Sequence, residues 1–575
     1  MYRTPIENAG RGGVASFSCL SMLDAALNVA TAVRKLDASA TSAARRRQNW
    51  AGNHTFRATK FHAPQTIERL QAIVRRADRI RAIGSCHSFS GCADCEDGEL
   101  VTLDALPPVL ELDESARTVT TSAGMRLAAL AEFLEGRGWA LHAMPSLPHL
   151  SVAGAVATAT HGSGDTCGNL ASAVVAMQIV DGEGSLECCT SGGLAALQRP
   201  QESDPMLQTV VLGGAGIIVQ LTLRVERSYR VRQDVYLHLA WEPHLNEEDY
   251  LREVLGAAYS VSLFTDWSES GVQQVWLKHR LPPSLTDPPA GVDPLRQLPA
   301  PPPTLHGALL SAKATHMISG VDAASCTLQG EPAGPWSERL CHFRAEASPS
   351  AQGNELQSEY FVPRECGVAA LRAMREAWNT AEWVAGLNGP AYKVLPPLLQ
   401  VSEIRTVAAD ELWLSPCYRR PSLALHFTWV HDLVKVSAAL RVVEAALAPF
   451  AARPHWGKLF LIGAPQLATL YPKLADYRKL LARLDPAAKF RNAFLDAHVF
   501  GGPTGVAALQ LPPEEDAAPC PFQGHAMRGR SPRPYDLLGG VGHVRGRMDE
   551  ATDEATDEAD ASAPHEKGGT GGCTL

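Results

Sequence analysis

The sequence has no uninterrupted apolar run long enough to cross a bilayer, so a spanning helix is not expected. It also lacks a strong excess of one charge. The 575 residues carry 52 Lys and Arg against 61 Asp and Glu, a net charge of −9. Eight of the acids fall in Asp549–Glu566, a segment without Lys or Arg, so the rest of the chain is nearly neutral. That argues against nucleic acid or an anionic membrane as a main partner. Cysteine is sparse for the length: 13 residues, an odd number, thinly spread. This is not the pattern of a secreted disulfide scaffold, and reduced thiols are the default. The single CxxC, Cys92 to Cys95, has no second pair to complete a zinc set. We read these two as loop cysteines and expect no metal.

What is present suits a soluble enzyme-sized chain. The composition is 45% hydrophobic and 20% charged, ordinary for globular proteins. Such a length can bury a large core without disulfide or metal staples. Residues 1–47 are rich in Ala, Ser and Arg and end in Arg45-Arg46-Arg47. They fit an organelle targeting segment or a plain extension equally well, with a cytoplasmic setting as the default. From Asn49 the pattern is mixed α and β. Pro64–Ala77 and Leu127–Arg137 have apolar residues at helical spacing, the second ended by Gly138. Ile80–Ile83, Val101–Leu103, Thr118–Thr121, Val174–Val180 and Gly216–Val225 read as strands.

A proline-rich stretch, Pro282–Pro303, reads as a loop or insertion. Alternating runs at Glu359–Val362, Gln400–Val407 and Leu423–Val430 predict an antiparallel sheet, with helical patterns between and after them. Trp383–Tyr392 reads as a further insertion. After residue 500 the chain turns Pro- and Gly-rich and then carries the ATDEATDEAD repeat, a composition expected to stay disordered.

Two constellations suggest a cofactor. In Ala82-Ile83-Gly84-Ser85-Cys86-His87-Ser88 a strand ends in small residues, whose backbone N–H groups can turn towards a phosphate. Nearly every residue from Ser151 to Gly164 is small, which lets backbone lie against a flat ligand. Taken alone, a turn histidine and a tightly packed Ala/Gly segment explain them equally well. A third constellation is polar. Period-two geometry puts Glu403 and Arg405 on one face of a strand, and His426 and Thr428 on one face of another. Lys458 follows Trp456-Gly457 in a turn. On geometry alone these are ordinary ion pairs on a sheet.

The segments GSxHSF, SLPHxSVAG…THGSG and PHWGK, in that order, resemble the vanillyl-alcohol-oxidase-type (PCMH-type) flavoprotein superfamily. The alditol oxidase and xylitol oxidase branch is the most similar. The likeness runs from about Asn49 to Asp496, with Asn49-Trp50-Ala51-Gly52-Asn53 at its opening and Lys489-Phe490…Asn492-Ala493-Phe494 at its ending. The resemblance implies an α+β fold. A two-subdomain FAD-binding domain would span residues 48–230 and an antiparallel-sheet substrate cap 231–450. A segment at 451–500 would return to the flavin, and 501–575 would be a disordered tail. It implies FAD, joined covalently through His87. The cofactor contacts carried over are Ala82, Ile83, Gly84, Ser85, Cys86, His87, Ser88, Ser146, Ser151, Gly154, Thr158, Ala159, Thr160, His161 and Ile217. Cys86 departs from the family, where glycine or arginine is usual.

The same resemblance places Ser146, Glu403, Arg405, Thr428 and Lys458 at the substrate, with His426 and Lys458 as candidates to take the hydroxyl proton. The implied reaction oxidises the terminal CH2OH of an alditol to an aldose, with O2 reduced to H2O2. A sugar-1,4-lactone oxidase or dehydrogenase is the alternative. A polyol needs mixed donors and acceptors in a partly dry pocket; Glu403 accepts from hydroxyls and Arg405 donates in a fixed fork. A catalytically silent binding module is the rival from another class. The retention of Glu403, Arg405, His426 and Lys458 together argues against it. The partners expected are a small polyol or lactone and O2. The sequence does not fix an oligomeric state.

Overall fold

The computed structural model describes residues 48–190, 210–281, 299–347, 354–380 and 395–501. The N-terminal extension, most of the proline-rich stretch, the Trp383–Tyr392 insertion and the acidic tail lie outside these. Within the described residues, two smaller sheets and a short pair of Trp139–Ala140 with Glu226–Arg227 come first in the chain, and a large sheet follows.

The first sheet is parallel, in the order Lys60–His62, Glu99–Thr102, Ile80–Ile83. The helix Ile67–Arg76 covers it. Thr66 accepts from the Arg69 N–H and so starts the helix at Ile67, three residues later than the apolar spacing suggests. Its buried Leu70, Ile73 and Val74 pack with Ile80, Val101 and Phe490, each side chain worth about 1.5–3 kcal/mol on burial. The second sheet is antiparallel, in the order Leu110–Asp113, Thr118–Ser122, Ile217–Arg224, Val174–Val180, Leu186–Thr190. The helix Leu127–Glu135 ends earlier than expected, because Gly136 caps it and turns its N–H back to the Glu132 and Leu134 carbonyls. Gly138 sits beyond the end at φ +75°.

From Arg230 the chain builds a ten-stranded sheet. Its central order is Arg230–Leu239, Val272–Arg280, Ser260–Thr265, Leu399–Val407, Ser422–Val430, Glu355–Pro363, all antiparallel. One face is apolar: Phe427 stacks on Trp429 at 5.2 Å and on Trp267 at 6.1 Å. Period-two alternation then turns Glu403, His426 and Glu359 to the other face. The last described segment returns to the first sheet. Ile80 N–H donates to the Lys489 carbonyl at 2.9 Å, and the Asn492 amide donates to the Asp94 carbonyl at 2.8 Å.

Candidate active site

One cavity lies between the loop after strand Ile80–Ile83, the small-residue segment near Ser151 and the polar face of the large sheet. The opening motif explains the loop. Asn49 donates to the Ser88 carbonyl at 2.9 Å, Asn53 to the Phe89 carbonyl at 2.8 Å, and the Trp50 N–H to the Cys86 carbonyl at 2.7 Å. Phe89 N–H donates to the Gly457 carbonyl at 2.8 Å, which joins the first motif to the last. Cys86 is in the left-handed region at φ +55°, a conformation that favours glycine.

Of the residues expected at the cofactor, Ala82, Gly84, Ser85, Cys86, His87, Ser88, Ser146, Ser151, Gly154, Thr158, Thr160 and His161 line this cavity. Ile83, Ala159 and Ile217 do not: their side chains are buried in three separate apolar clusters. Strand alternation sends Ile83 inward where its neighbour Ala82 faces the cavity. The expected substrate residues Glu403, Arg405, His426, Thr428 and Lys458 line the same cavity. Trp456 does not. It is fully buried against Phe460 and Tyr471, and donates to the Leu414 carbonyl at 2.7 Å. His455 takes the cavity position instead.

The wall fits a large flat cofactor. A Cβ on Gly84 would lie 2.2 Å from Ser151 Oγ and 3.1 Å from Ser151 Cβ, and one on Gly154 2.8 Å from the same Oγ, so a side chain at either position would force Ser151 to shift. His87 stacks on Trp50 at 4.5 Å. Its Nε2 is buried without a hydrogen-bond partner among the described residues. Burial, with His149 and Lys458 adding to it, pushes the His87 imidazole down to about 3, so it is neutral near pH 7.

The sheet register builds the polar end. Phe264, Glu403, His426 and Glu359 are paired across four adjacent strands, so two carboxylates flank one histidine. Arg405 donates from Nη2 and Nε to Glu359 Oε1 at 2.7 and 3.2 Å. Its Nη1 points to Ser146 Oγ at 3.4 Å and lies 3.5 Å from Glu403 Oε2. Lys458 Nζ donates to Glu359 Oε2 at 2.7 Å. Burial opposes both carboxylates, yet Arg405 and Lys458 hold Glu359 well below its usual range, and Arg405 and His342 do the same for Glu403. Burial also keeps His426 neutral, with Lys458 reinforcing it.

Gln357 fixes the proton on His426. Its amide Nε2 donates to Glu355 Oε1 at 2.7 Å, which turns its Oε1 to His426 Nε2 at 3.1 Å. A carbonyl oxygen only accepts, so His426 carries its proton on Nε2 and keeps a lone pair on Nδ1.

Sequence reasoning missed Glu359, Gln357, His342 and His455. In the sequence Glu359 only opens an alternating run, and an acid directly before Tyr360-Phe361-Val362 is the available signal. Glu359 also lies with His161 and His455, one atom of each within 4.8 Å of the others. Arg405 and Lys458 already occupy both its oxygens, which opposes a metal cation there. Cys92 and Cys95 are buried free thiols, and the Cys92 carbonyl accepts from Arg81 at 2.6 Å.

The fold and the cavity, taken with the family matches, identify an FAD-dependent oxidoreductase of the PCMH type. Residues 59–190 match the FAD binding domain family, and residues 353–498 match the D-arabinono-1,4-lactone oxidase family. The chain is 43% identical over 453 residues to an alditol oxidase from a Streptomyces species, covering 78% of this chain and 97% of that one. It therefore belongs to the alditol oxidase family. It is 26% identical to an L-gulono-1,4-lactone dehydrogenase of Mycobacterium tuberculosis, covering 78% and 97%. Among solved structures, the cholesterol oxidase of B. sterolicum shares the fold, with TM-score 0.58 and 13% identity over 79% of this chain and 96% of that one.

Proposed function

We propose that the protein oxidises the terminal CH2OH of an acyclic polyol to an aldehyde. The observation that carries this is the row of Glu403, His426 and Glu359, with Arg405 and Lys458 across it, in the cavity that His87 also lines. FAD, when bound, supplies the hydride acceptor, and O2 reoxidises it with release of H2O2. Ala82, Gly84 to Ser88, Ser151, Gly154, Thr158, Thr160 and His161 would hold it. We further assign the covalent tether to the ring nitrogen of His87. Its buried, unpartnered Nε2 supports this, because a bond there removes the cost of an orphaned polar atom.

The substrate oxygen loses a proton as its carbon loses hydride. His426 has the free lone pair and takes that proton on Nδ1. Glu359 and Glu403 are too acidic to compete, and Arg405 is held protonated by both of them despite its burial. Lys458 stabilises the negative charge that grows on the oxygen. Glu403 Oε2, Thr428 and Ser146 accept from or donate to the remaining hydroxyls.

The match of residues 353–498 to a lactone oxidase family favours a second reading, oxidation of a sugar-1,4-lactone. A panel of xylitol, sorbitol and 1,4-lactones, scored for anaerobic flavin bleaching and for peroxide release in air, separates the two. Bleaching by polyols at low concentration and not by lactones supports the first reading. The reverse order overturns it.

A further inference from the structure

Lys278 is 1% exposed on the strand Val272–Arg280, two strands from Glu403 in the sheet. Its ammonium donates to the carbonyls of Leu340 and Cys341 and to Nδ1 of His342, the last at 3.1 Å. The other ring nitrogen of His342, Nε2, lies 2.9 Å from Glu403 Oε1. An ammonium has no lone pair, so Nδ1 must accept from it. The ring proton is thereby fixed on Nε2 and donates to the carboxylate. Phe264 and Trp276 meet the imidazole edge to face at 5.6 and 5.2 Å and hold its plane. The His342 backbone N–H also donates to the Ser146 carbonyl at 3.0 Å, so one short segment sets two residues of the polar end.

We propose that Lys278 and His342 are positioning residues for polyol binding. They tie down Glu403 Oε1, so that Oε2 alone is offered to Arg405 and to a substrate hydroxyl. Neither residue has to touch the substrate for this. The inference rests on the reading of Glu403 as a substrate ligand. Burial keeps His342 neutral, pushed down to about 4, so its tautomer is a real variable that Lys278 decides.

The test uses holoenzyme variants, with xylitol as substrate and flavin reduction followed by stopped flow. Glutamine at position 342 can accept from Lys278 through its carbonyl and donate to Glu403 through its amide, whereas phenylalanine can do neither. His342→Phe and Lys278→Met should raise KM about 10- to 100-fold, from one buried acceptor losing its donor. The limiting reduction rate should change less, and flavin content should stay normal. His342→Gln should stay within a few-fold of wild type. If His342→Phe and Lys278→Met keep the wild-type KM while Glu403→Gln raises it, the positioning role is wrong. If Glu403→Gln itself leaves KM unchanged, the reading of Glu403 fails and takes this proposal with it. Should Lys278→Met not fold, the two His342 variants decide: equal KM values overturn the proposal.

Discussion

Replacing Glu359 with glutamine keeps the volume of the side chain and removes its charge. The side chain is fully buried, and its two oxygens receive Arg405 at 2.7 and 3.2 Å and Lys458 at 2.7 Å, with His161 Nε2 at 3.3 Å. Glutamine supplies one acceptor and turns an NH2 donor towards a guanidinium or an ammonium. Lys458 then loses its counter-charge, and Arg405 keeps only Glu403 at 3.5 Å. Breaking a buried pair in this way costs about 3–5 kcal/mol. Urea denaturation of the holoenzyme at neutral pH should show that loss as a lower midpoint at unchanged slope. The pH dependence carries the sign. Although burial favours the acid form, Arg405 and Lys458 depress the folded-state pKa below the ordinary 4.5. The carboxylate's contribution is therefore complete above about pH 4.5 and is lost as the pH falls through the folded value. The gap between wild type and Glu359→Gln should be constant from about pH 6 to 8 and narrow in acid. A gap below about 1 kcal/mol at neutral pH, or one that widens in acid, would refute the reasoning.

Acid-precipitated wild-type protein should stay yellow, and His87→Ala should release its flavin to the supernatant; a colourless wild-type precipitate would rule out the tether. Lys458→Met should slow anaerobic flavin reduction by xylitol about 10²- to 10³-fold with FAD retained; a fast reduction with only weaker binding would make Lys458 a binding residue. Gly84→Ala should lower FAD loading, because its Cβ would lie 2.2 Å from Ser151 Oγ. Ser151→Gly in the same chain should restore part of the loading, and no change in A450 per protein for Gly84→Ala would show that the loop can shift.

Local features were legible in the sequence. The strand ends at Ile83 and Val407, the helix under Leu70 and Val74, and the shared face of Glu403 and Arg405 all follow from periods of 3.6 and 2. What joins the segments was not. Glu359 meets Arg405 and Lys458 because three antiparallel strands settle into one register. A shift of one residue would turn Glu359 into the apolar layer with Phe427 and Trp429. Nothing within the run Glu355–Pro363 says which neighbour will lie beside it. The backbone bonds from Asn49 and Asn53 to the His87 loop are likewise long-range, so the opening motif could be recognised before its task could be seen. The burial of Trp456 has a related cause. The turn before Lys458 puts His455 at the cavity and sends the larger ring into the core.

The arrangement also shows why so many charges can share one buried wall of the cavity. An isolated buried ion is costly, and a pair recovers that cost only with good geometry and with its remaining donors and acceptors filled. Here each carboxylate has two partners from different parts of the chain: Arg405 and Lys458 donate to Glu359, while His342 donates to Glu403 and Arg405 pairs with it as an ion at 3.5 Å. Arg405 bridges the two, and Lys278 completes the His342 arm. The groups that keep the site ionised are thus the groups that orient it. Removing one link changes the partners of the next, so effects of paired substitutions in this network should not add. The histidines between them, His161, His426 and His455, are held neutral by burial and by the nearby cations. His426 differs from the other two in the lone pair it keeps: His455 Nδ1 already accepts from the Gly457 N–H and His161 Nε2 faces Glu359 at 3.3 Å, whereas Gln357 holds the His426 proton on Nε2 and leaves Nδ1 to the cavity. That combination leaves a neutral acceptor beside a cation, in a site where the acids cannot compete for the proton. Those are the conditions under which a hydroxyl can lose its proton as its carbon loses hydride.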